Sequence, residues 1–212
     1  LTSSATTTFN NLVFAGTAGG WNITSNLSVL GNMTVASGTL TGTSNIVLSN
    51  GSLSGNGVLS MGSGTVKLDR SNTLGGTTAW TFNNLVLGNG TVVGTTTPGS
   101  TATTSILGVL TISNAHYLDA NNSNWDLAGT GNVFVETGTL LEDTSTIRFS
   151  GAGANVPSTN YYNLRLDAGA GSPTYTGVGS GILVLNDLVV GGSANSTLTV
   201  NTTDQTLEVR GD

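Results

Sequence analysis

The feature that most constrains this chain is a recurrence: short apolar-x-apolar pieces return at intervals of about 20 residues, separated by Asn- and Gly-rich punctuation. Such pieces begin at Leu12, Leu27, Ile46, Val66, Leu85, Ile147, Leu164 and Ile182. From Leu27 through Ile46 and Val66 to Leu85 the step is nearly constant. It is shorter from Leu12 to Leu27, and slightly shorter from Ile147 through Leu164 to Ile182. The wide gap from Leu85 to Ile147 leaves room for three steps, with Ile106 and Leu127 as intermediates. Alternation with a period of two marks a strand with one buried face. Turns at Gly31-Asn32, Gly38, Asn50-Gly51, Asn89-Gly90 and Gly191-Gly192 tolerate positive φ and stop each strand after a few residues. So short a unit cannot bury its own apolar face and must stack on copies of itself. The spacing therefore predicts an all-β chain wound as a parallel β-helix of about 20 residues per coil. At about 4.8 Å per coil, roughly eleven coils make a rod on the order of 50 Å long. The alternative is tandem β-sandwich domains, with turn signals about every 8–12 residues. The punctuation here is tighter than that, which favours the β-helix.

A longer repeat overlies the short one. Thr8-Phe9-Asn10-Asn11-Leu12, Thr81-Phe82-Asn83-Asn84-Leu85 and Asn160-Tyr161-Tyr162-Asn163-Leu164 share one pattern at wide and similar intervals. The later two follow similar lead-in strands, Thr65-Val66-Lys67-Leu68 and Thr146-Ile147-Arg148-Phe149. The chain thus reads as one solenoid segment, 1–212, with long repeats near 8–80, 81–159 and 160–212, the last incomplete. Phe9, Phe82 and Tyr161 recur with it as candidates for core stacking or for covering a coil end; a sugar-stacking platform is the alternative. Trp21, Trp80 and Trp125 show no register with them.

Composition supports the same class. Charged residues are 8%, against about 25% in ordinary globular proteins. Thr (36), Gly (31), Asn (23) and Ser (23), all poor helix formers, dominate the polar share. No apolar run approaches the roughly 18 residues of a membrane-spanning helix, so no membrane insertion of this segment is expected. The net charge is −6, and the five cations Lys67, Arg70, Arg148, Arg165 and Arg210 are scattered singly along the sequence. No basic stripe for nucleic acid results. Cysteine is absent, which removes thiolate chemistry and disulfides. A start at Leu1 without Met leads us to expect a processed product or a fragment.

The run Asn26-Leu27-Ser28-Val29-Leu30-Gly31-Asn32-Met33-Thr34-Val35-Ala36-Ser37-Gly38-Thr39-Leu40 resembles the core repeat of bacterial β-strand-repeat surface proteins. Phe82-Asn83-Asn84-Leu85 and Gln205-Thr206-Leu207-Glu208-Val209-Arg210-Gly211-Asp212 do too. More broadly the chain is similar to filamentous-haemagglutinin-type and autotransporter-passenger-type adhesins. That resemblance implies a right-handed β-helical rod at the bacterial cell surface or outside the cell, part of a stalk, filament or layer. It implies self-association or covalent continuation along the rod axis, and a surface glycan or host receptor as further partner.

Residues that could carry chemistry are sparse. His116 is the only histidine, so a Ser-His-Asp triad would have to pass through it; it sits in a strand-like piece and is expected to face solvent. Asp119 with Asp126, and Glu142 with Asp143, are the carboxylate pairs a polysaccharide lyase or hydrolase would need, but neither has a nearby cation in sequence. Asp119-Ala120-Asn121-Asn122-Ser123-Asn124 begins like a calcium loop, yet Asn124 stands at the glycine position and Thr130 at the glutamate position, so it reads as a plain turn. Asp167, Asp187 and Glu208, each about one coil from the next, could stack as weak calcium candidates. Arg210-Gly211-Asp212 spells an integrin-type tripeptide, expected by chance. No cofactor is expected, and a non-enzymatic structural or adhesive role is favoured over a β-helix enzyme.

Overall fold

The structure, a computed structural model, describes residues 6–169, 171–192, 195–200 and 206–211. Among them every helix or strand element is a strand, 29 in all, and the strands pair in parallel. Every third strand returns to the same sheet, so each coil has three faces. The first face stacks Thr7–Phe9, Leu27–Val29, Ile46–Leu48, Thr65–Leu68, Asn84–Leu87, Leu110–Ile112 and Phe134–Glu136. The second stacks Leu12–Phe14, Met33–Val35, Leu53–Ser54, Asn72–Gly75, Gly94–Pro98, His116–Asp119 and Thr139–Leu141. The third runs unbroken through nine strands from Gly20–Ile23 to Leu188–Val190. Two three-stranded sheets, starting at Asn155–Pro157 and Asn160–Tyr161, supply the first and second strands of the later coils.

The chain is therefore a β-solenoid and not a pair of sandwiches. It has about nine turns of roughly 21 residues, fewer than the eleven the spacing predicts. At the usual spacing of parallel strands the stack is about 45 Å tall. Coils lengthen after Leu87, which accounts for part of the difference. Asn89 Oδ1 accepts hydrogen bonds from Thr91 N (3.0 Å), Thr91 Oγ1 (3.1 Å) and Val92 N (2.9 Å), folding a corner that protrudes. Leu85 then pairs with Leu110, a longer step than the one that brought Val66 beneath Leu85.

Register shows which sequence steps describe a column. Leu27, Ile46, Val66 and Leu85 are stacked neighbours on the first face. Leu12 belongs to the second face, beside Met33, so its shorter step to Leu27 crosses a corner. Ile106 pairs with Leu127 and Ile147 with Leu164, all on the third face. Ile182 pairs with Leu207 in the second strand of its coil. The single series is three columns. Each face repeats the same apolar-x-apolar triplet, so periodicity alone does not say which face a triplet occupies.

The long repeat is a corner, and it moves. Phe9 and Leu12 bracket a turn from the first face to the second, Phe82 and Leu85 one from the third to the first, and Tyr161 and Leu164 one from the second to the third. Successive copies lie three and two-thirds turns apart, which reconciles their wide intervals with turns of roughly 21 residues. Each corner is latched to the coil above in the same way. Leu30 N, Leu107 N and Leu185 N donate to the aromatic carbonyls of Phe9, Phe82 and Tyr161 at 2.8–2.9 Å. Asn11 Oδ1 accepts from Asn32 N (2.8 Å), Asn84 Oδ1 from Val109 N (2.9 Å) and Asn163 Oδ1 from Asp187 N (3.3 Å). The first two latches need glycine overhead: a Cβ at Gly31 would stand 2.5 Å from Asn11 Oδ1, and Gly108 meets Asn84 in the same way.

Inside, Leu, Val, Ile and aromatic side chains fill three walls of columns, while Thr and Ser face outward and bond along the stack. Thr41 Oγ1 donates to Trp21 O (3.1 Å) and Thr137 Oγ1 to Ile112 O (3.1 Å), each one coil below. Phe82 and Tyr161 are fully buried and Phe9 packs against the core, each on a different face, so they do not stack on one another. The tryptophans do share a register. Trp21, Leu40, Leu59, Trp80, Thr104, Trp125, Ile147 and Leu164 follow one another inward on the third face. Trp80 Nε1 donates to Gly57 O (2.9 Å) and Trp125 Nε1 to Ser123 Oγ (2.8 Å), which satisfies the buried indoles.

Candidate functional site

In a chain with so few charges, four of them gather on the outer side of the third face. Asp126, Arg148 and Arg165 are direct neighbours in successive strands, above Ser105. They point outward because Trp125, Leu127, Ile147, Phe149, Leu164 and Leu166, which alternate with them, point in. Asp167 follows the strand Asn163–Leu166 and is only 6% exposed. Two arginines directly opposed would repel. The Asp167 carboxylate offsets this, with Oδ2 3.6 Å from Arg148 Nη2 and 3.6 Å from Arg165 Nη2. Arg148 Nη2 also donates to the Asp167 carbonyl at 3.0 Å, and Asp167 Oδ1 accepts from Gly169 N at 3.1 Å.

On its other side Arg148 Nη1 lies 3.9 Å from Asp126 Oδ1. One guanidinium thus bridges two carboxylates, at separations too long for hydrogen bonds. Arg148 Nε and Asp126 Oδ1 are both buried without a hydrogen-bond partner. These groups line a cleft of about 350 Å³ with Thr103, Asn124, Trp125 and Thr146. Beneath it Tyr175 donates its hydroxyl to Phe149 O at 3.0 Å. Burial raises that phenol above its ordinary value, with a further upward push from Asp167.

The sequence candidates fall elsewhere or differently. Asp126 is not paired with Asp119, which sits on the second face, and it does have a cation near it, supplied by the next coil. The arginines, single in sequence, are adjacent in space. Asp119 instead meets Asp143: burial, then the hydrogen bond and negative charge of Asp143, raise its carboxyl above the usual value, while a backbone hydrogen bond from Asn121 opposes this. Glu142 and Asp143 form a corner in which Asp143 has φ 41°, above a corner in which Asn121 has φ 49°. The stretch 119–124 is thus a turn between two faces.

His116 does not face solvent. It is 1% exposed, inside the second face, with Nε2 2.9 Å from the buried Thr96 Oγ1. Burial lowers its imidazole below the ordinary 6.5. The three weak calcium candidates do not stack: Asp167 ends a third-face strand, Asp187 precedes another, and Glu208 lies in Thr206–Val209, the second strand of its coil. Asp167 is held by arginines and Glu208 by Arg210 Nε at 2.7 Å. Among the described residues no three His, Cys, Asp or Glu converge to hold a metal ion. Leu1, Gln205 and Asp212, the last residue of the Arg-Gly-Asp tripeptide, lie outside the described residues. Among the described residues no helix is long and apolar enough to cross a membrane.

No protein-family model, no curated protein and no solved structure matches this chain.

Proposed function

We propose that this chain is a non-enzymatic, extracellular structural and adhesive segment, a piece of a bacterial surface filament, stalk or layer that continues along its own axis. The observation that carries the reading is the stack itself, parallel coils that repeat one strand order along a single axis. In the first described coil Phe9, Leu12, Phe14, Gly20, Trp21 and Asn22 line an apolar hollow of about 340 Å³. In the last coils Val190, Leu207 and Val209 are exposed by 40%, 37% and 43%. Apolar side chains exposed at a coil face favour association with another such face. The resemblance of residues 26–40 to surface strand-repeat proteins points the same way. Size-exclusion chromatography with light scattering tests it: multimers that grow with concentration are expected, and a monomer at every concentration contradicts end-to-end association.

A β-helix enzyme acting on polysaccharide is a second reading, drawn from the two carboxylates of the third-face cleft. A glycosidase keeps open space between its carboxylates for the sugar and a water. Here the Arg148 guanidinium lies between them, which suits holding a ligand better than cleaving it. Release of reducing ends from a polysaccharide panel would favour the enzyme.

A further inference from the structure

We infer that the third-face cleft is a binding site for neutral saccharide hydroxyls. Its chemistry is amphoteric throughout. Two arginines and two aspartates cancel in charge, so an anion attracted by Arg148 and Arg165 meets Asp126 and Asp167 at the same place. The remaining polar lining, Thr103, Asn124 and Thr146, both donates and accepts. Arg148 Nε and Asp126 Oδ1 are sealed off, so a ligand meets the open remainder of these two side chains, which are 36% and 23% exposed. Asp167 Oδ2 stands 3.6 Å from Arg148 Nη2 and from Arg165 Nη2, and one oxygen can approach both members of such a pair within hydrogen-bond distance. The group that accepts from a guanidinium and donates to a carboxylate at once is a hydroxyl. A cleft of about 350 Å³ lies at the small end of ligand sites. Trp125 contributes its buried underside and no stacking face, so contact is by hydrogen bonds and affinity per site is low. This names a ligand class for the adhesive part of the proposed function and rests on that part; the axial association is tested separately, since a rod that binds no sugar is still a rod.

Saturation-transfer NMR on the full chain tests it, with lactose, maltose, cellobiose and chitobiose as neutral probes and digalacturonate as the anionic arm. Transfer to at least one neutral disaccharide is expected. Removing a charged hydrogen-bond partner should weaken it about tenfold or more in Asp126→Asn and Arg148→Gln. Asp119→Asn, on another face, should bind as the parent does. Thermal melts establish that each variant is folded, and Asp126→Asn keeps the test open should Arg148→Gln unfold. Silence from every neutral probe, binding of digalacturonate alone, or transfer unchanged in Asp126→Asn would each overturn the assignment.

Discussion

At the scale of single residues, the working part of this fold is the corner carboxamide. Asn84 Oδ1 receives Val109 N from the next coil, and Gly108 overhead leaves room for it. Asn84→Ala leaves that amide unpaired and should cost about 1–2 kcal/mol in urea unfolding. Gly108→Ala should cost more, because its methyl enters the carboxamide. The two losses should not add: Ala at position 84 removes the closest clash and leaves the added methyl only its 3.0 Å approach to Asn83 O, and a double-mutant cycle should show coupling of about 0.5 kcal/mol or more. His116 supplies a second residue-scale prediction. Its folded value is lowered and its unfolded value ordinary, so the unfolded chain binds more protons between the two. Stability from this group is fully present above about pH 6.5 and declines as pH falls toward the folded value. Unfolding curves of wild type and His116→Gln should diverge in that window, the variant being less stable at neutral pH and flatter below it. Nothing in the sequence signalled this burial. His116 opens its strand just after the polar Ser113 and Asn114, and only the fold that sets Thr96 in the strand one coil below shows its partner.

At the scale of elements, the coil is the unit of exchange. Deleting residues 46–65 joins Asn45 to Val66, which already occupies the column of Ile46, and every later strand keeps its face. That variant should melt cooperatively with strand-type circular dichroism like the parent's. Deleting residues 46–55 removes half a coil, sends third-face strands onto the first face, and should abolish the cooperative melt. The same geometry explains how much was legible beforehand. A near-constant step locates Leu27, Ile46, Val66 and Leu85 because the corners between them keep one length. The corner at Asn89 breaks that constancy, and Trp80 and Trp125, two coils apart, then look unrelated. The cleft was hidden for the same reason. The step from Asp126 to Arg148 is longer than the mean coil and the step from Arg148 to Arg165 shorter, so the sequence shows isolated charges where the fold makes a cluster.

At the scale of the whole molecule, a solenoid gains stability from each interface between coils and loses it at each bare end. Phe9, Phe14 and Trp21 are partly buried against the core, with Phe14 and Trp21 ring centroids 5.5 Å apart. Phe14→Lys with Trp21→Lys should block association at that end while leaving the strand signal of later coils intact, measured by light scattering and circular dichroism. Thr, Ser and Asn dominate the sides of the rod, interrupted by exposed Val13, Leu30, Val93 and Leu107, while Phe9, Leu12, Phe14 and Trp21 share one apolar hollow, so growth should follow the axis. Small-angle X-ray scattering over a concentration series tests this most directly. The account predicts a cross-sectional radius that stays constant while the longest dimension rises from about 45 Å in steps of one rod. A particle that thickens as it grows, or one compact size at every concentration, would contradict it.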